Sequence, residues 1–84
     1  MRVAYDEEVD VLTITLSGAP VADSDEVQPG VIFDYDAAGS TVGIELLDAS
    51  QRVDNPYSLS FDYARANTQE RNGGQPVAAT LSAV

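Results

Sequence analysis

The strongest constraint on the fold is a period of two. Val31, Phe33 and Tyr35 fall on one face of an extended chain, and Val42, Ile44 and Leu46 align on its return, with Asp36-Ala-Ala-Gly39 between them. Successive side chains of a strand point to opposite faces, so this spacing describes two half-buried strands and excludes a helix. Asp36 can bond the local backbone and Gly39 can take a left-handed conformation, which makes the intervening residues a hairpin loop. The reading predicts that Asp34 pairs across the hairpin near Val42 or Gly43 and that Gly39 has positive φ.

The same period recurs on either side. Val3 and Tyr5 share a face in the first residues, and Val11–Leu16 sets Leu12, Ile14 and Leu16 inward with Val11, Thr13 and Thr15 outward. β-Branched residues at this density favour a strand. After the turn Ser17-Gly-Ala-Pro20, Val21–Val27 is extended but polar, with Asp23, Asp25 and Glu26. Inserted charge protects an exposed sheet edge, so an edge strand is expected there. Gln28-Pro-Gly-Val31 fits a type II turn, since proline presets φ at the first central position and glycine accepts positive φ at the second. From Leu47 to Arg52 the alternation is lost, and Asp48 or Ser50 can cap a single helical turn that ends before Asn55-Pro56. Tyr57, Leu59, Phe61 and Tyr63 then alternate with Ser58, Ser60 and Asp62, a further strand.

These segments predict a mainly β fold, a small antiparallel meander of about five strands with one short helical turn. Residues 1–63 form the β-rich domain, and residues 64–84 a polar linker, Asn67–Gly74, followed by an apolar small-residue tail. The tail reads as a loose strand, a docked segment or disorder. One apolar face is expected from Val3, Tyr5, Leu12, Ile14, Leu16, Val31, Phe33, Tyr35, Val42, Ile44, Leu46, Leu59 and Phe61. A single sheet layer needs a cover, and no long amphipathic helix is present to supply one. The sheet must curl into a barrel, take the tail as a lid, or stack on a second copy. A homodimer is expected, through this face or through an interface of Tyr57, Leu59, Phe61 and Tyr63.

Composition removes many functions. The 84 residues contain no cysteine and no histidine, which excludes a disulfide framework, thiolate chemistry, and the usual general base and metal ligand. Four basic residues against fourteen acidic ones give a net charge of −10. Phosphate backbones and anionic membranes are repelled, and Arg2, Arg52, Arg65 and Arg71 are scattered, so neither direct nucleic-acid binding nor membrane binding is expected. Instead the charge suits a solvated surface or a field that steers a basic protein partner. With no apolar run near the ~20 residues of a membrane span and no signal-like start, a cytoplasmic location is expected.

Several acidic constellations invite a chemical reading. Asp6, Glu7, Glu8 and Asp10 are dense enough to suggest a hard-cation site, but their spacing departs from an EF-hand and a solvated turn accounts for them. Asp34 and Asp36 are expected side by side opposite Phe33 and Tyr35, where hairpin solubility and turn capping explain both better than paired-acid catalysis. Glu45, if the second sheet face is buried, needs Arg52 or Arg2 as a partner. The tyrosines read as core rim or a contact patch. No catalytic, cofactor-binding or metal residue is assigned.

The residues assembled so far resemble a family of short bacterial and archaeal proteins, the domain of unknown function DUF2283. The resemblance rests on Tyr5-Asp6, on Asp10 with Leu12 and Ile14, and on the stretch from Glu26 through Pro29-Gly30 to Asp34-Tyr-Asp36. It continues through Gly39, Val42–Glu45, Leu47–Ser50, Arg52 and Pro56, covering roughly residues 1–63. Val11 stands where the family pattern carries a small residue. The resemblance implies a β-rich domain and supplies no catalytic residues. Analogy with families found beside toxin genes adds an antitoxin-like role. The expected function is thus a small non-enzymatic binding or assembly domain, with an acidic antitoxin neutralising a basic toxin as the alternative and a carboxylate-based enzyme as the third.

Overall fold

A computed structural model describes residues 1–66 in full and the backbone of residues 77–83. Five strands form one sheet: β1 (Arg2–Asp6), β2 (Val11–Thr15), β3 (Asp23–Gln28), β4 (Val31–Tyr35) and β5 (Thr41–Leu47). The helical turn α1 (Ala49–Arg52) follows, and then β6 (Leu59–Arg65) and β7 (Val77–Ala83), which pair only with each other in a two-stranded arm. The expected mainly β class with one short helical turn is what the chain adopts, and the sheet is open rather than closed into a barrel. The polar linker Asn67–Gly74 lies outside the described residues.

Strand order is β1-β2-β5-β4-β3, antiparallel throughout. Only β3, β4 and β5 follow as a consecutive meander. The segment after β2 carries the chain to the far edge, and the meander then returns to lay β5 beside β2. Leu16 falls just outside β2 and is 41% exposed, though its N–H still donates to the Val42 carbonyl at 2.8 Å. The polar edge strand is β3, with all six residues exposed. Tyr57 precedes β6 rather than opening it, and β6 runs on to Arg65.

The central hairpin follows its sequence pattern. Asp34 is opposite Gly43, and Gly39 has φ +85°. Asp36 Oδ1 accepts from the N–H groups of Ala38 and Ser40 at 3.0 and 2.9 Å, which closes the loop. A register shift at Asp34/Tyr35 leaves Val42 as the extra residue of a bulge, and Val42 is buried.

Two clasps hold the other end of the sheet. Asp10 closes the β1–β2 turn with φ +57°, a region Asp tolerates better than most residues. Its carboxylate accepts the Tyr5 hydroxyl at 2.7 Å, the Ser50 N–H at 2.9 Å and the Ser50 hydroxyl at 2.6 Å. Thus the first turn of α1 is capped from the opposite hairpin, while its own N-cap, Asp48, makes no side-chain capping bond. Across the sheet, Arg52 donates to the carbonyls of Leu47 and Pro29, both at 2.6 Å, and joins α1 to the β3–β4 turn. That turn needs Gly30 twice over. Its φ is +78°, and a Cβ there would lie 2.0 Å from Arg52 Nη2.

Candidate interaction surface

Cross-strand partners in register share a face, so the pairing sorts every side chain of the sheet. On the apolar face one row reads Val3, Ile14, Ile44, Phe33 and Asp25, and the next Tyr5, Leu12, Leu46, Val31 and Gln28. Both rows are apolar from β1 to β4 and become polar only at the β3 edge. None of these eight apolar side chains is fully buried; all are half-buried. Among the described residues the buried hydrophobic core is Val42 and Ala49 alone, and no large side chain is fully enclosed.

The accessible area of the whole chain, arm included, is large for its mass. The chain exposes 6262 Å². A compact monomer of its mass, 8.9 kDa, exposes about 4,800 Å². That leaves an excess of about 1,400 Å², more than the ~800 Å² that each partner buries in a standard protein interface.

At the β1 end of this face a hollow of about 390 Å³ opens between Val3, Tyr5 and Leu12 on the sheet and Pro56, Tyr57 and Leu59 on the following chain. Tyr5 and Tyr57 meet edge to face with ring centroids 5.2 Å apart, and the Tyr57 hydroxyl donates to Glu7 Oε2 at 2.8 Å. The bond to Asp10, assisted by partial burial and nearby negative charge, pushes the Tyr5 phenol up to about 12. Tyr57 is raised for the same reasons, with Glu7 as acceptor. Asp10 is held below the usual carboxylate range by its Ser50 and Tyr5 hydrogen bonds. Both hydroxyls therefore serve the fold as neutral donors.

The opposite face carries the acids. Asp34, 8% exposed, accepts the Ser24 hydroxyl at 2.6 Å and meets Glu45 diagonally across the β4–β5 pair. Its hydrogen bond with Asp34, then burial and the Asp34 charge, raises the Glu45 carboxyl above its ordinary range. This corrects two sequence expectations. Glu45 is partnered by an acid rather than by Arg52 or Arg2, because Arg52 is occupied by two backbone carbonyls. Asp34 and Asp36 do not act side by side, because Asp36 turns into the hairpin loop. Neither Asp34 nor Glu45 lines the hollow. In the first turn Asp6 accepts the Glu8 N–H, Glu7 holds Tyr57 and Asp10 holds Tyr5 and Ser50, so three of the four clustered carboxylates face different partners.

The residues expected at an interface are exposed: Tyr57 by 55%, Leu59 and Phe61 by 42% each, and Tyr63 by 51%. Phe61 and Tyr63 lie on one face of β6 with ring centroids 6.4 Å apart. Sequence reading placed all four in one strand and missed the different role of Tyr57, which is fastened to β1. No local spacing signals that fastening, because Tyr57 and its partner Glu7 lie 50 positions apart in the chain.

An open five-stranded antiparallel sheet with a capped helical turn and a projecting two-stranded arm defines a small all-β domain. The family model of DUF2283, proteins of unknown function, matches residues 2–50, and the chain belongs to this family. The match covers the whole five-stranded sheet and stops at Ser50, short of the arm and of the extent expected from the sequence. Neither curated proteins nor solved structures give a match. Among the described residues no helix is long and apolar enough to cross a membrane.

Proposed function

We propose that the protein is a non-enzymatic assembly domain that works as a homodimer, with the apolar face of the five-stranded sheet as its contact surface. The observation that carries this reading is the pair of apolar rows, eight side chains of which none is fully buried and over which no second layer of the described residues packs. A two-fold pair is the commonest way to bury such a face. The charge of −10 per chain opposes association, so salt should tighten it by screening. Sedimentation velocity across protein concentration at low and high salt tests the reading. A dimer that strengthens with salt is expected; a monomer under every condition would overturn it.

A second reading is supported by the edge strand β3, whose exposed Asp23, Asp25 and Glu26 offer an acidic border to a basic protein. Calorimetric titration with a basic polypeptide tests it. Salt-sensitive binding that weakens when Asp23 and Asp25 are changed to Asn supports this reading, and binding indifferent to them removes it.

A further inference from the structure

We infer that the cover over each apolar sheet face is the β6–β7 arm of a second copy of this chain, exchanged reciprocally about a two-fold axis. The inference rests on the assembly reading and names the segment that performs it. A two-stranded hairpin standing alone in water is marginally stable at best. Yet every β6 residue from Leu59 to Arg65 is exposed, with Leu59, Phe61 and Tyr63 spaced to share one apolar face. Among the described residues the sheet's apolar face is approached by the arm only at the β1 end, where Leu59 borders the hollow with Val3 and Leu12, and Phe61 and Tyr63 remain exposed.

Dimensions and charge agree. From Leu59 to Arg65 the strand extends about 20 Å, and the four gaps between the five strands of the sheet span about 19 Å. An arm laid across the row Val3, Ile14, Ile44, Phe33, Asp25 keeps Leu59, Phe61 and Tyr63 over apolar partners. By the same alternation Arg65 faces the sheet at the β3 edge, where the row ends on Asp25. One of the few cations in an acidic chain is thereby brought to a carboxylate. In this structure the arm does not lie across its own sheet: β6 pairs with β7 and every β6 residue is exposed, while the Tyr57–Glu7 hydrogen bond and the Tyr5–Tyr57 contact hold its base at β1.

The chain has no cysteine, so a nitroxide can be placed on Ser60→Cys, on the arm face away from Phe61. Unlabelled spin-tagged chain is mixed with ¹⁵N-labelled wild-type chain, and molecular mass is followed in parallel. Broadening of the Ile14, Ile44 and Phe33 amides in the wild-type chain is the expected result. A dimer whose broadening is confined to β6 would mean arm-to-arm contact, and one broadened only when tag and label share a chain would mean a lid in cis. Either outcome overturns exchange and leaves the assembly reading standing, whereas a monomer throughout overturns both. As an independent check, Arg65→Glu should weaken association by about tenfold, since symmetry repeats the pair, and Asp25→Arg in the same chain should restore it. An unchanged dissociation constant for Arg65→Glu would remove the crossing direction.

Discussion

In the sheet built from residues 2–47, the side chains that mark the sequence have partners inside the molecule: Asp10 with Tyr5 and Ser50, Glu26 with the Gly30 N–H, Asp36 with its own loop. In the arm the distinctive residues are Leu59, Phe61 and Tyr63, and the surfaces they present remain open. The family match falls on the first region and ends before the second. Motif residues that stand out by type and spacing thus serve the fold here, and the surface available for work on another molecule carries no motif. Looking for chemistry among the conspicuous acids leads to turn caps and clasps. The row of ordinary apolar side chains is where the physical imbalance lies.

The sharpest way to break this contrast is to damage the sheet's internal pairing. Gly30→Ala should destabilise by about 3–4 kcal/mol, combining strain at positive φ with displacement of the charged hydrogen bonds of Arg52. Gly39 has similar φ, but nothing lies within 4 Å of a Cβ placed there. Gly39→Ala should cost only about 1 kcal/mol. Denaturant titrations at fixed protein concentration measure both. Arg52→Ala should shrink the gap between the two glycine variants; equal costs for both glycines would show that the Arg52 clasp contributes nothing.

On the arm the expected pattern reverses. Phe61→Asp should leave far-ultraviolet circular dichroism of the sheet intact yet raise the dimer dissociation constant by a factor on the order of 30 or more, a hot-spot loss. A variant that still dimerises normally would move the contact away from β6.

Asp10 and Tyr5 sharpen the contrast through pH. Asp10 has its folded value depressed, so its contribution is complete above the ordinary carboxylate value and is lost as pH falls through the folded one. Asp10→Asn, which tolerates the same backbone, should flatten the acid limb of the stability profile. Tyr5 has its value raised to about 12, so its contribution is complete below the ordinary value near ~10 and is lost as pH climbs towards the folded one. Spectrophotometric titration of tyrosinate should show Tyr5 and Tyr57 titrating late, and Tyr5→Phe should remove the later component.

Much of the sheet was legible because its signals are local. Alternation from Val31 to Leu46 gave the hairpin, Pro29-Gly30 gave a turn with positive φ at Gly30, and loss of period after Leu47 gave the helical turn. What escaped depends on contacts distant in sequence. No spacing reveals that β5 inserts between β2 and β4, or that Asp10 and Ser50 join across forty positions. The partner of Glu45 was missed for a different reason. Opposite charge is the natural guess, and two acids pair only when one can hold a proton. The arm's face was visible as alternation at Leu59, Phe61 and Tyr63, but alternation cannot say what a strand pairs with.

The smallest effect concerns this acid pair, the place where pairing within the sheet works against stability at neutral pH. Glu45 has its folded value raised by its Asp34 hydrogen bond, by burial and by the Asp34 charge, so the fold favours its protonated form. Its contribution is complete below the ordinary glutamate value near ~4.3 and is lost as pH rises through the raised folded value. Beyond that point two carboxylates face each other. Glu45→Gln keeps a donor toward Asp34 at every pH without adding a charge. The variant should therefore be more stable than wild type at neutral pH, by only about 0.5 kcal/mol because solvent reaches the Glu45 side of the pair. Its advantage should vanish in acid, where wild-type Glu45 carries its own proton. Paired denaturation curves at neutral and acid pH read this difference directly. A constant offset at both would mean that no proton is shared, and a loss of stability at neutral pH would mean that ionised Glu45 has a favourable partner elsewhere.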